Sequence, residues 1–204
     1  MKKICENWKQ VIPEGTYGPQ YWNEFSTRAS AVSAEVFRVK TVAEARGVIS
    51  ELVKSASAKK AVMTQNPYAK AAELTDLFRS LDVEVYTEAP DIRTHCDTAD
   101  FGISAVEFGI AETGSVCQDA TAIEDRLVST LPPVHIAFFN SNYILPSVQA
   151  AVEIISGVFD RGYLSFITGP SRTADIERVL TIGVHGPCRL VIIAVDEDVA
   201  GGAQ

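Results

Sequence analysis

Cysteine is scarce in this chain: four in 204 residues, Cys5, Cys96, Cys117 and Cys188, with no C-x-x-C pair. Zinc and iron–sulfur sites draw on clustered thiolates, so this spacing predicts that the chain carries no cluster of its own. A chain of this length also needs no disulfide framework, and the pattern fits a reducing cytosol. Long apolar runs are missing too. The longest strongly apolar stretch, "LVIIAV" at 190–195, falls far short of the roughly 18 residues that span a bilayer. The opening "MKKICENWKQVIPEG" turns polar after its lysines and lacks the apolar core of a signal peptide. Neither G-x-G-x-x-G nor G-x-x-x-x-G-K-[ST] occurs, which removes the dinucleotide fingerprint and the P-loop and leaves no cofactor assigned.

Positive charge is scarce in the middle of the chain. Every lysine lies at or before Lys70, and between residues 94 and 160 the only Lys or Arg is Arg126. The net charge is −8 and the isoelectric point about 4.9. Binding to nucleic acid draws on clustered Lys and Arg to displace phosphate counterions, so a nucleic-acid partner is excluded as an expectation.

What is present is a 47% hydrophobic composition, enough to bury one sizeable core. Residues 1–19, with Pro13, Gly15, Gly18, Pro19, Trp8 and Tyr17, read as an arm that packs against this domain or a second copy. Residues 20–204 read as one domain. Trp22, Phe25, Ala29, Val32 and Val36 follow helical spacing, which predicts a first helix over about 20–35. Amphipathic "TVAEARGVISELVKSA" and "YAKAAELTDLFRSL" then alternate with the short apolar "KAVMT" and "VEVYT". Helix and strand alternating at this pitch predict parallel α/β layering. The run 101–119 breaks the rhythm and reads as a hairpin or bent strand pair through "ETG". "VHIAFF", "YLSFIT" and "RLVIIAV" read as strands, "LPSVQAAVEIISGVF" and "TADIERVLTIG" as helices. The fold class expected is α/β, a three-layer α/β/α sandwich with a mostly parallel sheet. Ligands of such sheets sit beyond the strands' carboxyl ends, which points to the turns after "FGIAETG", "HIAFF" and "FITGP".

Three stretches carry candidate chemistry. The turn "TGPSRT" offers Gly169, the hydroxyls of Thr168, Ser171 and Thr173, and the Arg172 guanidinium, which grips carboxylate or phosphate as a fork. Asp175 already places negative charge in the expected helix turn, so the same residues also read as a simple N-cap. "AETGS" sets Glu112 after a buried strand, where apolar surroundings make a carboxylate a nucleophile or base, or where it serves only to bond a neighbouring turn. His135 inside "LPPVHIA" is either a base or a satisfied core histidine. His185, between glycines in "GVHGP", reads as exposed and better placed to touch a ligand. No metal spacing occurs, although the carboxylates near Glu107 and Glu112 leave a metal open.

Taken together and in order, "VEFGIAETGSV", "RLVSTLPPVHIA", "ITGPSRTADIE" and "GVHGP" resemble the LutC family of LUD-domain proteins, also called YkgG or LldG, over roughly residues 95–196. The resemblance implies a fold similar to the NagB/RpiA/CoA-transferase-like group, a cytoplasmic location and a part in oxidising L-lactate to pyruvate. It implies iron–sulfur subunits as partners, with this chain as a non-redox accessory or ligand-binding component. By position the family pattern falls on Glu112, Thr113, Gly114, Pro133, His135, Gly169, Pro170, Ser171, Arg172, Thr173, Asp175, His185 and Gly186. Ser104-Ala105 and "SVCQDATAIED" depart from the more aliphatic, glycine-containing pattern of that family. Two readings follow: an accessory subunit whose anion turn holds a small carboxylate or docks its partner, or a stand-alone enzyme on a CoA ester, sugar phosphate or small carboxylate with Glu112 as nucleophile or base. A homo-oligomer built through the aromatic arm is compatible with both.

Overall fold

In the computed structural model the described residues are 15–158, 162–173 and 181–199. Six strands form a wholly parallel central sheet: β1 (Glu35–Val39), β2 (Lys60–Met63), β3 (Glu84–Tyr86), β4 (Phe101–Ala105), β7 (Val134–Asn140) and β12 (Arg189–Val195). Their spatial order is β1-β12-β7-β4-β2-β3. After Arg189, strand β12 is apolar on both faces, as a sheet covered on both sides requires. Val191, Ile193 and Val195 of β12 enter one core cluster, and Leu190, Ile192 and Ala194 enter the other.

Helices α2 (Val42–Ala56), α3 (Pro67–Ala71) and α4 (Leu74–Ser80) cover the first face. Ala45, Ile49, Leu52 and Val53 of α2 meet Leu74, Leu77 and Phe78 of α4 there over Ala61, Phe101 and Ile136. The start of α2 is fixed by Thr41, whose Oγ1 accepts from the Glu44 N–H at 3.2 Å, while Glu44 accepts from the Lys40 N–H at 2.8 Å. This reciprocal pair satisfies two amides at the helix entry.

The second face is covered by α1 (Trp22–Ala31), α5 (Ala89–His95), α6 (Ile123–Thr130) and a smaller sheet. That sheet contains β5 (Phe108–Ile110), β6 (Ser115–Asp119), β8 (Ile144–Leu145) and β9 (Leu164–Ile167), in the order β8-β5-β6-β9. Its outer face is closed by α7 (Val148–Val158), whose Ala151, Ile154 and Ile155 pack on Phe108, Ile110 and Cys117.

The expected α/β/α layering with a parallel sheet is therefore the observed one, with three corrections in detail. Residues 20–35 do not form one helix: α1 stops at Ala31, Ser33 turns left-handed at φ 68°, and Val36 belongs to strand β1. The run 101–119 contains three strands; β4 joins the central sheet, and only β5 and β6 form the hairpin. The helix expected to continue to Gly183 is absent at its end, because β11 (Thr181–Ile182) pairs antiparallel with β10 (Arg172–Thr173); residues 174–180, including Asp175, lie outside the described residues. Of the expected arm, 15–19 are described, and Tyr17 stacks on Tyr143 while Gly18 donates its N–H to the Ile144 carbonyl at 2.9 Å. No helix among the described residues is long and apolar enough to cross a membrane.

Candidate functional site

The hairpin β5–β6 carries the "AETGS" motif at its turn, and β9 delivers "ITGP" beside it, because β6 and β9 pair antiparallel with Val116 opposite Ile167. The two motifs meet through hydroxyls. Ser115 Oγ donates to Thr113 Oγ1 at 2.7 Å and lies 2.6 Å from Thr168 Oγ1. Both turn glycines are left-handed, Gly114 at φ 66° and Gly169 at φ 69°, and both press on the end of α1. A Cβ on Gly114 would stand 2.1 Å from the Ala29 nitrogen, and one on Gly169 would stand 2.2 Å from the Val32 carbonyl oxygen. These glycines serve the seating of α1 under the motifs.

The charged residues of the motifs serve two different helix ends. Glu112 is exposed and accepts from the Val148 N–H at 2.9 Å, which caps the N-terminus of α7. Arg172 donates to the Val32 carbonyl at 2.7 Å and to Ser33 Oγ at 2.8 Å, beyond the C-terminus of α1. Each places its charge where the helix dipole favours it. Arg172 itself opens the β10–β11 ribbon opposite Ile182, with Thr173 opposite Thr181 and the Ser171 N–H on the Pro187 carbonyl at 2.8 Å. Pro170 is buried, Pro133 accepts the Cys188 N–H, and Gly186 lies against Ser171 in the bend that holds exposed His185.

His135 is completely buried on β7. Its Nε2 lies 2.9 Å from Ser104 Oγ, which also accepts from Gln118 Nε2 at 3.0 Å. Gln118 in turn reaches the Asp125 carbonyl at 3.4 Å. Burial pulls the imidazole pKa down to about 4, so the ring is neutral at pH 7. Among the described residues, His135 Nδ1 and Gln118 Oε1 have no hydrogen-bond partner. This buried layer ties the central sheet to the smaller one.

A cleft of about 420 Å³ opens beyond the carboxyl ends of β2 and β4. From β2 the chain steps outward to β3 and then returns to the other side of β2 as β4, so these two strands flank the point where strand order reverses. Crevices at such reversals are the usual ligand sites of open α/β sheets. Thr64, Gln65, Asn66 and Pro67 form one wall. The other is formed by Ala105, Glu107 and Asp119, with Thr121, Ala122 and Asp125 leading into α6. The walls are held from behind: the Thr64 N–H donates to the Ile103 carbonyl at 3.0 Å, Asn66 Oδ1 accepts from the Ala69 N–H at 2.9 Å, and Asp119 Oδ1 accepts from the Thr121 N–H at 3.0 Å. Three carboxylates surround the cleft without converging; among the described residues no group of three or more His, Cys, Asp or Glu is arranged to hold a metal ion.

The sequence points to the turns after "FGIAETG", "HIAFF" and "FITGP" as the lining of the crevice; this cleft is lined by the turn after β2, the residues that close and follow β4, and the segment from the end of β6 into α6. The signal available in the sequence is "TQNP" directly after an apolar strand, a run of hydrogen-bonding side chains ending in a helix-starting proline.

Comparison with known proteins gives a consistent picture. The model of the LUD domain family matches residues 22–195. A protein named lactate utilization protein C from Halalkalibacterium halodurans is 29% identical over 185 residues, covering 87% of this chain and 80% of that protein. Its namesake from Geobacillus sp. is 29% identical over 170 residues, covering 77% and 70%. The Bacillus subtilis protein of the same name is 37% identical over 106 residues, covering 50% and 44%. The crystal structure of a DUF162 family protein from Deinococcus radiodurans superposes with a TM-score of 0.59 at 23% identity, over 86% of this chain and 96% of that one, which establishes the likeness of fold.

Proposed function

Because this chain belongs to the LUD domain family, we propose that it serves lactate utilization, as a non-redox accessory or ligand-binding subunit of a cytoplasmic complex that oxidises L-lactate to pyruvate beside iron–sulfur subunits. The observation that carries this reading is similarity over more than three quarters of the chain to two proteins named lactate utilization protein C. The three cysteines among the described residues agree with that division of labour. Cys96 and Cys117 are buried in separate apolar clusters, and Cys188 is exposed on another segment. Burial pushes both buried thiols above their ordinary pKa, away from the thiolate form that ligates iron. The reading takes residues 20–204 as one LUD-type domain, with residues 1–19 as an arm available for self-association.

Glu112 gives less support to a stand-alone enzyme, since its carboxylate is exposed and engaged on the Val148 N–H. The deciding experiment is deletion of the chain in cells grown on L-lactate, with affinity capture of the tagged protein. Loss of growth on lactate alone, restored by the wild-type chain, together with co-purified iron–sulfur subunits, is the expected result. Undiminished growth overturns the reading.

A further inference from the structure

We propose that the cleft between the ends of β2 and β4 binds a small, uncharged polyhydroxylated molecule, one bearing a vicinal diol and reaching up to about nucleoside size. The inference goes beyond the lactate-utilization reading and does not depend on it. Position is the first argument: the cleft sits at the strand-order reversal, where both flanking strands end and two loops diverge to leave a crevice. Volume is the second, since about 420 Å³ lies in the range that holds small organic ligands.

The chemistry of the lining selects the class. Glu107, Asp119 and Asp125 are acceptors only, and each carboxylate offers about four lone-pair positions, so a carboxylate that already holds one partner still accepts from a hydroxyl. Asp119 has spent Oδ1 on the Thr121 N–H. Across the gap, Thr64 and Gln65 bring a hydroxyl and an amide that both donate and accept. A polyol matches such a wall because every hydroxyl donates once to a carboxylate and accepts from a facing donor. None of the described lining residues is basic. A free carboxylate such as lactate or pyruvate would meet like charge there and forgo the acceptor-rich wall.

The test uses the purified full-length protein in thermal melts and calorimetric titrations, with D-ribose and adenosine as diol probes and L-lactate and pyruvate as anionic ones. A ligand that binds only the folded state raises the melting temperature with concentration. The expected result is a saturable rise with at least one diol probe and none with lactate or pyruvate. Asp119→Asn and, separately, Thr64→Val should weaken that response at least tenfold in Kd, while Asp76→Asn on the exposed surface of α4 leaves it unchanged. Melts and circular dichroism without ligand verify that each variant folds. The proposal is overturned if neither diol probe binds, if lactate or pyruvate binds the cleft instead, or if a diol probe binds folded Asp119→Asn and Thr64→Val as well as wild type. Growth of the deletion strain on lactate is read separately, so failure here and failure of the lactate reading are distinct.

Discussion

The guanidinium of Arg172 donates to the Val32 carbonyl at 2.7 Å, across 140 residues of sequence. This bond joins the segment after β9 to the residue that caps the C-terminus of α1 and gives the "TGPSRT" motif a structural duty. The cation stands where the helix dipole is negative, and the same nitrogen also reaches Ser33 Oγ.

Arg172→Gln should therefore cost stability, about 1 kcal/mol for an exposed charged group at a helix end. In a domain of this size that corresponds to a fall in melting temperature of roughly 2–4 °C. Differential scanning calorimetry of the two proteins checks it. An unchanged melt together with lost binding of a small anion would return Arg172 to the role of a ligand grip.

Three glycines make a sharper contrast. Gly114 and Gly169 have positive φ, and a methyl group on either would intrude on backbone, at 2.1 Å from Ala29 in α1 and 2.2 Å from Val32 at its cap. Alanine at either position should cost about 3 kcal/mol or more, by strain and forced displacement together. Gly47 lies exposed within α2, and a methyl group there would meet nothing within 4 Å. Gly47→Ala should stabilise by about 0.5–1 kcal/mol. Urea denaturation of the three variants tests both the signs and the order.

The same contrast marks what a sequence discloses. Strands β2, β7 and β12 are legible because burial on both faces demands continuous apolar runs. Strand β1 is hidden because Val32 and Val36 continue the helical spacing of α1, and nothing local announces that Ser33 turns left-handed. The convergence of "AETGS" with "ITGP" follows from the pairing of β6 with β9. The Arg172 contact does not, because its acceptor is a backbone carbonyl that any residue at position 32 would present. The cleft is obscure for a third reason. Which strands flank a reversal depends on the order of the whole sheet, and "TQNP" acquires its meaning only once β3 and β4 are placed on either side of β2.

His135 predicts the response to pH. Its pKa is lowered from 6.5 to about 4 by burial, so between those values the unfolded chain binds a proton that the folded one refuses. Stability is then fully present above about pH 6.5 and falls as pH drops toward 4, with a slope approaching 1.4 kcal/mol per pH unit. Glu124 and Asp196, both held below their ordinary 4.5 and 3.8, lose their contribution only at lower pH, as acid passes through their folded pKa values. Urea midpoints at pH 7.5, 6 and 5 should therefore decline in the wild type. In His135→Gln the decline over this window should be much reduced, while the protein is less stable at pH 7.5. An equal decline in both proteins would assign the effect to other groups.

Glu112 separates a structural from a chemical role. Its Oε2 receives the Val148 N–H at 2.9 Å, and α7 has no acidic residue of its own in the first turn. Glu112→Gln keeps an acceptor and loses the charge, so the expected cost is about 0.5 kcal/mol; Glu112→Ala loses both and should cost about 1 kcal/mol. A nucleophile or general base behaves differently, because the amide removes the chemistry while keeping the shape. Cells carrying Glu112→Gln should accordingly grow on L-lactate at close to the wild-type rate, and thermal melts should rank the amide between wild type and alanine. Abolished growth with an unaltered melt and normal protein level would make Glu112 a reacting group, and the capping of α7 would then be the lesser of its two duties.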